Sequence, residues 1–299
     1  MLSYLHKFHA GNFADLHKQF ILTEILGYLQ DKNKPFSMID THGGEGYYPF
    51  SSKLAKNYRE LQSGLGPFFN QINVLAQHAE CPKLIQAYGD LLKSWNPNAV
   101  LETLPGSPLL LSHFLRKDSH LAICEKHPSV FFALTNNFSA LKLKLNSKIA
   151  LLNSDGYQTP KALLPPKEKR GLIFIDPSYE EKSEYENIAK CLTESIKRFS
   201  TGIYVIWYPI LNMRARDGLE WLIRQILKLP IQSLWQQEWL LEPGLKPETS
   251  GFHSLKGSGL LCIHLPWQAS EHLNLTLNYL NAHLFPGRTL KQTWLKQSD

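Results

Sequence analysis

Gly171-Leu172-Ile173-Phe174-Ile175-Asp176-Pro177-Ser178-Tyr179 is the most apolar strand-like run of the chain, and it ends on a carboxylate followed by proline. A short run of branched and aromatic residues bounded by turn formers reads as a strand buried on both faces, the habit of a parallel sheet. Three other runs share the form. Phe36-Ser37-Met38-Ile39-Asp40 enters Thr41-His42-Gly43-Gly44-Glu45-Gly46, Leu121 to Cys124 ends on Glu125, and Lys148 to Leu152 leads to Asp155-Gly156. Gly202 to Tyr208 reads as another strand, and residues 232–241 and 258–265 as a closing hairpin joined by a Gly/Pro-containing loop. Helical spacing fills the intervals. Asn12 is placed to cap a helix in which Leu22, Ile25, Leu26 and Leu29 recur at i, i+3, i+4, i+7. The alternation predicts an α/β fold of about seven strands in a mostly parallel sheet.

Residues 47–100 break the rhythm. Leu54, Leu61, Phe68, Leu75, Leu84 and Leu91 sit in helical segments interrupted at Gly64-Leu65-Gly66-Pro67 and Cys81-Pro82. They read as a small helical insertion in a domain made of residues 1–46 and 101–299. With 299 residues, 43% hydrophobic and rich in Phe, Tyr and Trp, the chain has material for a large core, which excludes disorder and coiled coil. No apolar run approaches the ~18 residues of a spanning helix, and the first residues do not resemble a secretory signal. Four scattered cysteines, Cys81, Cys124, Cys191 and Cys262, favour neither a zinc cluster nor a disulfide framework. A cytoplasmic location is expected. The net charge of +6 is a modest pointer to nucleic acid.

Asp40, Glu125, Asp155 and Asp176 each close a predicted strand, so a parallel sheet brings them to one edge. Four carboxylates there suit a cationic or hydroxyl-rich ligand such as S-adenosylmethionine. Gly44-x-Gly46 after the first strand lets backbone approach such a cofactor. Asp176-Pro177-Ser178-Tyr179 resembles the Asp/Asn-Pro-Pro-Tyr motif of methyltransferases acting on adenine N6. A carboxylate and a main-chain carbonyl accept the two N–H bonds of a poorly nucleophilic amine and aim its lone pair at the methyl group. Tyr179 offers a ring for stacking on an extruded base. Tyr4, His6, Lys7, His9, His17 and Lys18 read as a polar lid; His6-x-x-His9 lacks a third ligand, so no metal is expected. Lys142, Lys144, Lys148 and Lys167, Lys169, Arg170 are candidate phosphate contacts.

Met1-Leu2-Ser3-Tyr4, His6-x-Phe8-His9-Ala10-Gly11-Asn12-x-Ala14-Asp15, Asp40-Thr41-His42-x-Gly44-x-Gly46, Pro105-Gly106-Ser107-Pro108, Glu125-x-His127-Pro128, Asp155-Gly156 and Trp207-Tyr208-Pro209 are similar to the bacterial RlmJ family along nearly the whole chain. Its members are 23S ribosomal RNA adenine-N6 methyltransferases. The resemblance implies a Rossmann-like class I methyltransferase working as a monomer on 23S rRNA. It also implies cofactor contacts at Lys18, His42, Ser107, Glu125, Asp155, Gly156 and Asp176, with Gln19, Gly44 and Gly46 beside them. Asp176 would be catalytic, with Tyr4, His6, Lys18, Pro177 and Tyr179 toward the adenine. Gln19 stands where the family usually has histidine, and Ser178 replaces the motif's second proline. The alternatives are a DNA adenine-N6 methyltransferase, for which 47–100 is a scant recognition domain, and a non-catalytic RNA-binding module with a drifted motif.

Overall fold

Strands that are apolar on both faces need covering on both sides, and the computed structural model has that arrangement. It describes residues 5–50, 58–141, 148–181, 183–211, 216–242, 244 and 255–297. Tyr4, Leu54, Lys142 and Lys144 lie outside the described residues. The strands are β1 (Ser37–Asp40), β2 (Tyr47–Pro49), β3 (Thr103–Pro105), β4 (His120–Cys124), β5 (Ile149–Leu152), β6 (Gly171–Ile175), β7 (Ile203–Ile210), β8 (Ser233–Leu241), β9 (Gly257–Ile263) and β10 (Arg288–Gln297). The helices are α1 (Phe13–Asp31), α2 (Tyr58–Gln62), α3 (Leu65–Leu75), α4 (Lys83–Ser94), α5 (Ser107–His113), α6 (Pro128–Ala140), α7 (Thr159–Leu163), α8 (Glu184–Arg198), α9 (Arg216–Leu227) and α10 (Trp267–His283).

Eight strands form one sheet in the order β10-β8-β9-β7-β6-β1-β4-β5. The run β5-β4-β1-β6-β7 is parallel, and β9, β8 and β10 extend it by antiparallel pairing. The expected hairpin is the β8–β9 pair. The eighth strand, β10, was not expected. It is an edge strand with most of its side chains at least partly exposed, and Arg288-Thr289-Leu290-Lys291-Gln292 lacks the apolar run that marks a buried strand. Alternate residues of the parallel strands feed two cores. Met38, Ile123, Leu172, Phe174 and Val205 face α1, α5 and α10, whereas Ile39, Ala122, Ile173, Ile175 and Ile206 face α8 and α9.

Within 47–100, α3 and α4 pack on α1. Phe20 of α1 meets Phe68 and Tyr88 edge-on, with ring centroids 5.5 and 5.2 Å apart. These helices therefore back α1 with apolar surface. Chain order reverses at β1: β4 and β5 lie to one side of it, β6 and β7 to the other. The crevice beyond the carboxyl ends of β1 and β6 is where open α/β sheets bind ligands. No helix among the described residues is long and apolar enough to cross a membrane.

Candidate active site at the sheet crevice

The strand ends open into a cavity of about 370 Å³, within the size range of small-molecule sites. Its lining includes His6, Lys18, Gln19, His42, Gly44, Ser107, Glu125, Asp155, Gly156, Asp176 and Pro177, so eleven of the residues singled out by sequence meet in one place. Asp15, Ser178 and Trp207 join them.

One wall is built from β1, β4 and β5. The turn after β1 needs glycine at Gly44, which has φ +58°, and its N–H donates to Glu125 Oε2 at 3.0 Å. Glu125 Oε1 accepts from the His127 N–H at 2.7 Å. Burial nevertheless pushes the Glu125 carboxyl up from its ordinary range. Gly156 is pressed against the turn that leaves β1, where a Cβ would stand 1.8 Å from the Thr41 carbonyl oxygen. Asp155 accepts from Lys126 Nζ at 3.0 Å and from the Tyr157 N–H at 2.9 Å. Burial lowers the His42 imidazole to about 4, leaving it neutral near pH 7, with Nδ1 2.7 Å from Thr41 Oγ1. Asp40 lies beneath the wall, fully buried. Its Oδ1 accepts from the His42 N–H at 3.2 Å, while Oδ2 has no partner. Burial, aided by the charges of Asp176 and Glu125, raises the Asp40 carboxyl to about 7.

The other wall comes from α1, β6 and β7. Asn12 Oδ1 caps α1 by accepting from the Ala14 and Asp15 N–H groups at 2.9 and 3.1 Å. The first half of α1 is then buried on all sides, polar residues included. Lys18 Nζ donates to Asp176 Oδ2 at 2.8 Å, approaches Asp15 Oδ1 at 3.0 Å and lies 4.6 Å from the Trp207 ring centre. Asp15 Oδ2 also meets His6 Nε2 at 3.0 Å and accepts from the Gly11 N–H at 2.8 Å. Burial opposes these charges. For Asp15 the His6 and Lys18 partners overcome it and hold the carboxyl well below the usual range, and for Lys18 the two carboxylates hold the ammonium well above its own. At Asp176 burial prevails over Lys18, and the carboxyl is raised.

Gln19, the expected departure from histidine, donates from Nε2 to the Pro105 carbonyl at 2.6 Å and accepts from the Tyr88 hydroxyl. It ties α1 to β3 and α4 while lining the cavity.

Two of the expected site residues stand back from the cavity. Gly46 does not line the cavity; it takes φ +83° and packs beneath Leu134 and Phe138, so it shapes the turn. Tyr179 does not line it either. At φ +55° its side chain turns back between Trp207 and Tyr185, with ring centroids 5.8 and 5.2 Å away, and its hydroxyl donates to the Trp207 carbonyl at 2.6 Å. The ring is engaged by the protein rather than presented for stacking. Lys167, Lys169 and Arg170 precede β6 and so sit at the sheet edge opposite the crevice. His6 and His9 bind different carboxylates, Asp15 and Glu60.

Asp15 and Trp207 were missed as site residues. Asp15 read as a charge at a helix start, and Trp207 as part of an apolar strand; only their placement beside Lys18 reveals them.

Carboxylate acceptors and a glycine cradle together suit a ligand carrying hydroxyls, an ammonium and a purine, as an adenosyl amino acid does.

The sequence profile of the family described as "Ribosomal RNA large subunit methyltransferase D, RlmJ" matches residues 33–296. Two relatives, each named Ribosomal RNA large subunit methyltransferase J, are similar almost end to end. The Escherichia coli protein is 34% identical over 97% of this chain and 96% of its own length, and the Haemophilus influenzae protein 37% identical over the same shares. A crystal structure of a Legionella pneumophila protein, 34% identical, superposes with a TM-score of 0.81 over 97% of this chain and 99% of that one.

Proposed function

Because the chain belongs to the RlmJ family of ribosomal RNA large subunit methyltransferases, we propose that it uses S-adenosyl-L-methionine to methylate N6 of one adenine in 23S ribosomal RNA. The observation that carries this reading is Asp176-Pro177-Ser178 lining the cavity at the end of β6, with Lys18 bonded to Asp176.

When bound, the cofactor supplies an electrophilic methyl group on a sulfonium. We assign Glu125, Asp155, Gly156, His42, Gly44, Ser107, Lys18 and Gln19 to hold it, with Glu125 accepting from ribose hydroxyls and Asp40 supporting the wall from below. Lys18 occupies Asp176 Oδ2, which leaves Oδ1 to accept one N–H of the adenine amine while the Pro177 carbonyl accepts the other. Held this way, the nitrogen lone pair is directed out of the ring plane. As the nitrogen gains its fourth bond it would gain positive charge, which the Asp176 carboxylate, bonded to Lys18, is placed to stabilise. With the cofactor bound, that nitrogen would take the methyl group, and Asp176 Oδ1 is placed to accept the proton the nitrogen would shed. Tyr179 braces the turn through Trp207, and His6 together with Tyr4 closes over an adenine extruded from structured RNA. No step asks for a metal ion.

The enzyme acts as a cytoplasmic monomer, and residues 47–100 serve as an insertion whose helices α3 and α4 support α1. Free, buried cysteines are consistent with that compartment. Offering labelled cofactor with unmodified 23S rRNA fragments and duplex DNA in competition tests the substrate class. Label on RNA is expected; label on DNA favours the DNA methyltransferase alternative. Cofactor binding with no transfer to either would favour a non-catalytic module.

A further inference from the structure

Away from the crevice, the turn between α3 and α4 meets the C-terminal end of α10. A ring nitrogen of His78, a ring nitrogen of His283 and a carboxylate oxygen of Glu80 lie within 4.8 Å of one another. Two imidazoles and one carboxylate form a donor set of the zinc class, three protein ligands with a position left for water.

Proximity alone is common at a protein surface, but the rings here are also oriented. Tyr279 serves both. Its backbone carbonyl lies 2.9 Å from His283 Nδ1, and a carbonyl only accepts, so His283 carries its proton on Nδ1 and bares Nε2. The Tyr279 hydroxyl lies 2.7 Å from His78 Nδ1 and donates onward to the Leu75 carbonyl at 3.2 Å. That contact engages His78 through Nδ1 and leaves Nε2 as the ring nitrogen available to a metal ion. The Tyr279 and His283 rings are stacked at 4.1 Å, which fixes the second imidazole further. Holding the distal ring N–H on a protein acceptor is how metal-binding histidines are aligned and made more basic. Glu80 is exposed, so its side chain is free to turn among its rotamers toward the two imidazoles.

We propose that His78, Glu80 and His283 form a binding site for a divalent transition-metal ion of the zinc class, clipping the α3–α4 turn to the end of α10. The site is separate from the methyl-transfer machinery and stiffens the packing of α10 against α4 behind α1.

Isothermal titration of the metal-stripped full-length protein with Zn²⁺ tests this. One equivalent should bind, and thermal unfolding should shift upward with it. His283→Ala and Glu80→Gln remove direct ligands, so each should weaken binding by more than the roughly 10–100-fold that loss of an outer-shell partner costs. Tyr279→Phe keeps the carbonyl and loses only the hydroxyl, so it should weaken binding less. Methyl transfer by metal-free His283→Ala should match that of the metal-free parent. The proposal is overturned if the parent shows no saturable Zn²⁺ binding, or if both His283→Ala and Glu80→Gln bind as the parent does. Glu80 makes no hydrogen bond or ion pair among the described residues, so Glu80→Gln remains informative even where the histidine variant folds poorly.

Discussion

The two walls of the crevice handle charge in opposite ways. On the β1–β4 wall, half-buried Glu125 and, beneath it, buried Asp40 are carboxyls raised by burial and held mainly by backbone N–H groups. On the α1 wall, Lys18, Asp15, Asp176 and His6 are already bonded to one another. Carboxylates held mainly by backbone N–H groups keep free lone pairs for donors from a ligand. A wall of mutually paired charges is preorganised, so its geometry stands before anything binds. Losses on the first wall should therefore register as affinity, and losses on the second as rate or folding.

The largest effect should come from Lys18→Met. It strands two buried carboxylates, and breaking a buried pair costs about 3–5 kcal/mol. Denaturant unfolding should show that loss together with loss of turnover. A variant of unchanged stability would mean that the charges on this wall are not coupled. Asp176→Ala comes next, lowering the methyl-transfer rate by about 10²–10³-fold or more, as for other preorganised charge-stabilising groups. Cofactor affinity should change far less. Near-parental turnover would remove Asp176 from the chemistry.

Glu125→Ala should behave in the opposite sense. Calorimetry should find S-adenosylmethionine binding weakened by about 1–3 kcal/mol, the scale for bonds to a charged group, with the rate at saturating cofactor close to parental. A rate defect without an affinity defect would erase the contrast between the walls.

Asp40 gives a pH test. Its carboxyl sits at about 7 in the folded protein against an ordinary 3.8, so the native state binds the extra proton between those values. Its contribution to stability is fully present below the unfolded value and is lost as pH rises through the folded one. Asp40→Asn should thus remove a component of stability that declines between those two pH values. Identical pH profiles for parent and variant would show that Asp40 titrates normally. The smallest effect is expected from Ser178→Pro. Stiffening the turn is worth about 0.4–1 kcal/mol, or about two- to fivefold in rate. Activity that appears only with proline would favour the non-catalytic alternative.

What could be read from the chain follows the same division. The β1–β4 wall was legible because buried strands write apolar runs and their exits write Asp40, Glu125 and Asp155. The paired wall was legible in part: the exit of β6 writes Asp176, and the family resemblance pointed to His6, Lys18 and Gln19, but Asp15 and Trp207 escaped. The start of α1 is buried on all sides, so Asp15, His17, Lys18 and Gln19 interrupt the periodicity that a one-sided helix would show. Their partners arrive from β7, β8 and β9: His17 meets Ser258 at 2.9 Å and Gln237 at 3.1 Å, and Trp207 Nε1 donates to the same Ser258 at 2.9 Å. Tyr179 misled because motif spacing does not say where a side chain at φ +55° points. The edge strand β10 has no apolar run to betray it, and His283 stands far along the chain from His78 and Glu80.

The most direct measurement of the central claim is mass mapping of nucleosides from unmodified 23S rRNA after a single turnover with labelled S-adenosylmethionine. The account predicts one labelled product, N6-methyladenosine at one position, absent when Asp176→Ala is used. Label on cytidine, on a ribose oxygen or on a ring nitrogen, or labelled N6-methyladenosine formed equally by Asp176→Ala, would contradict it.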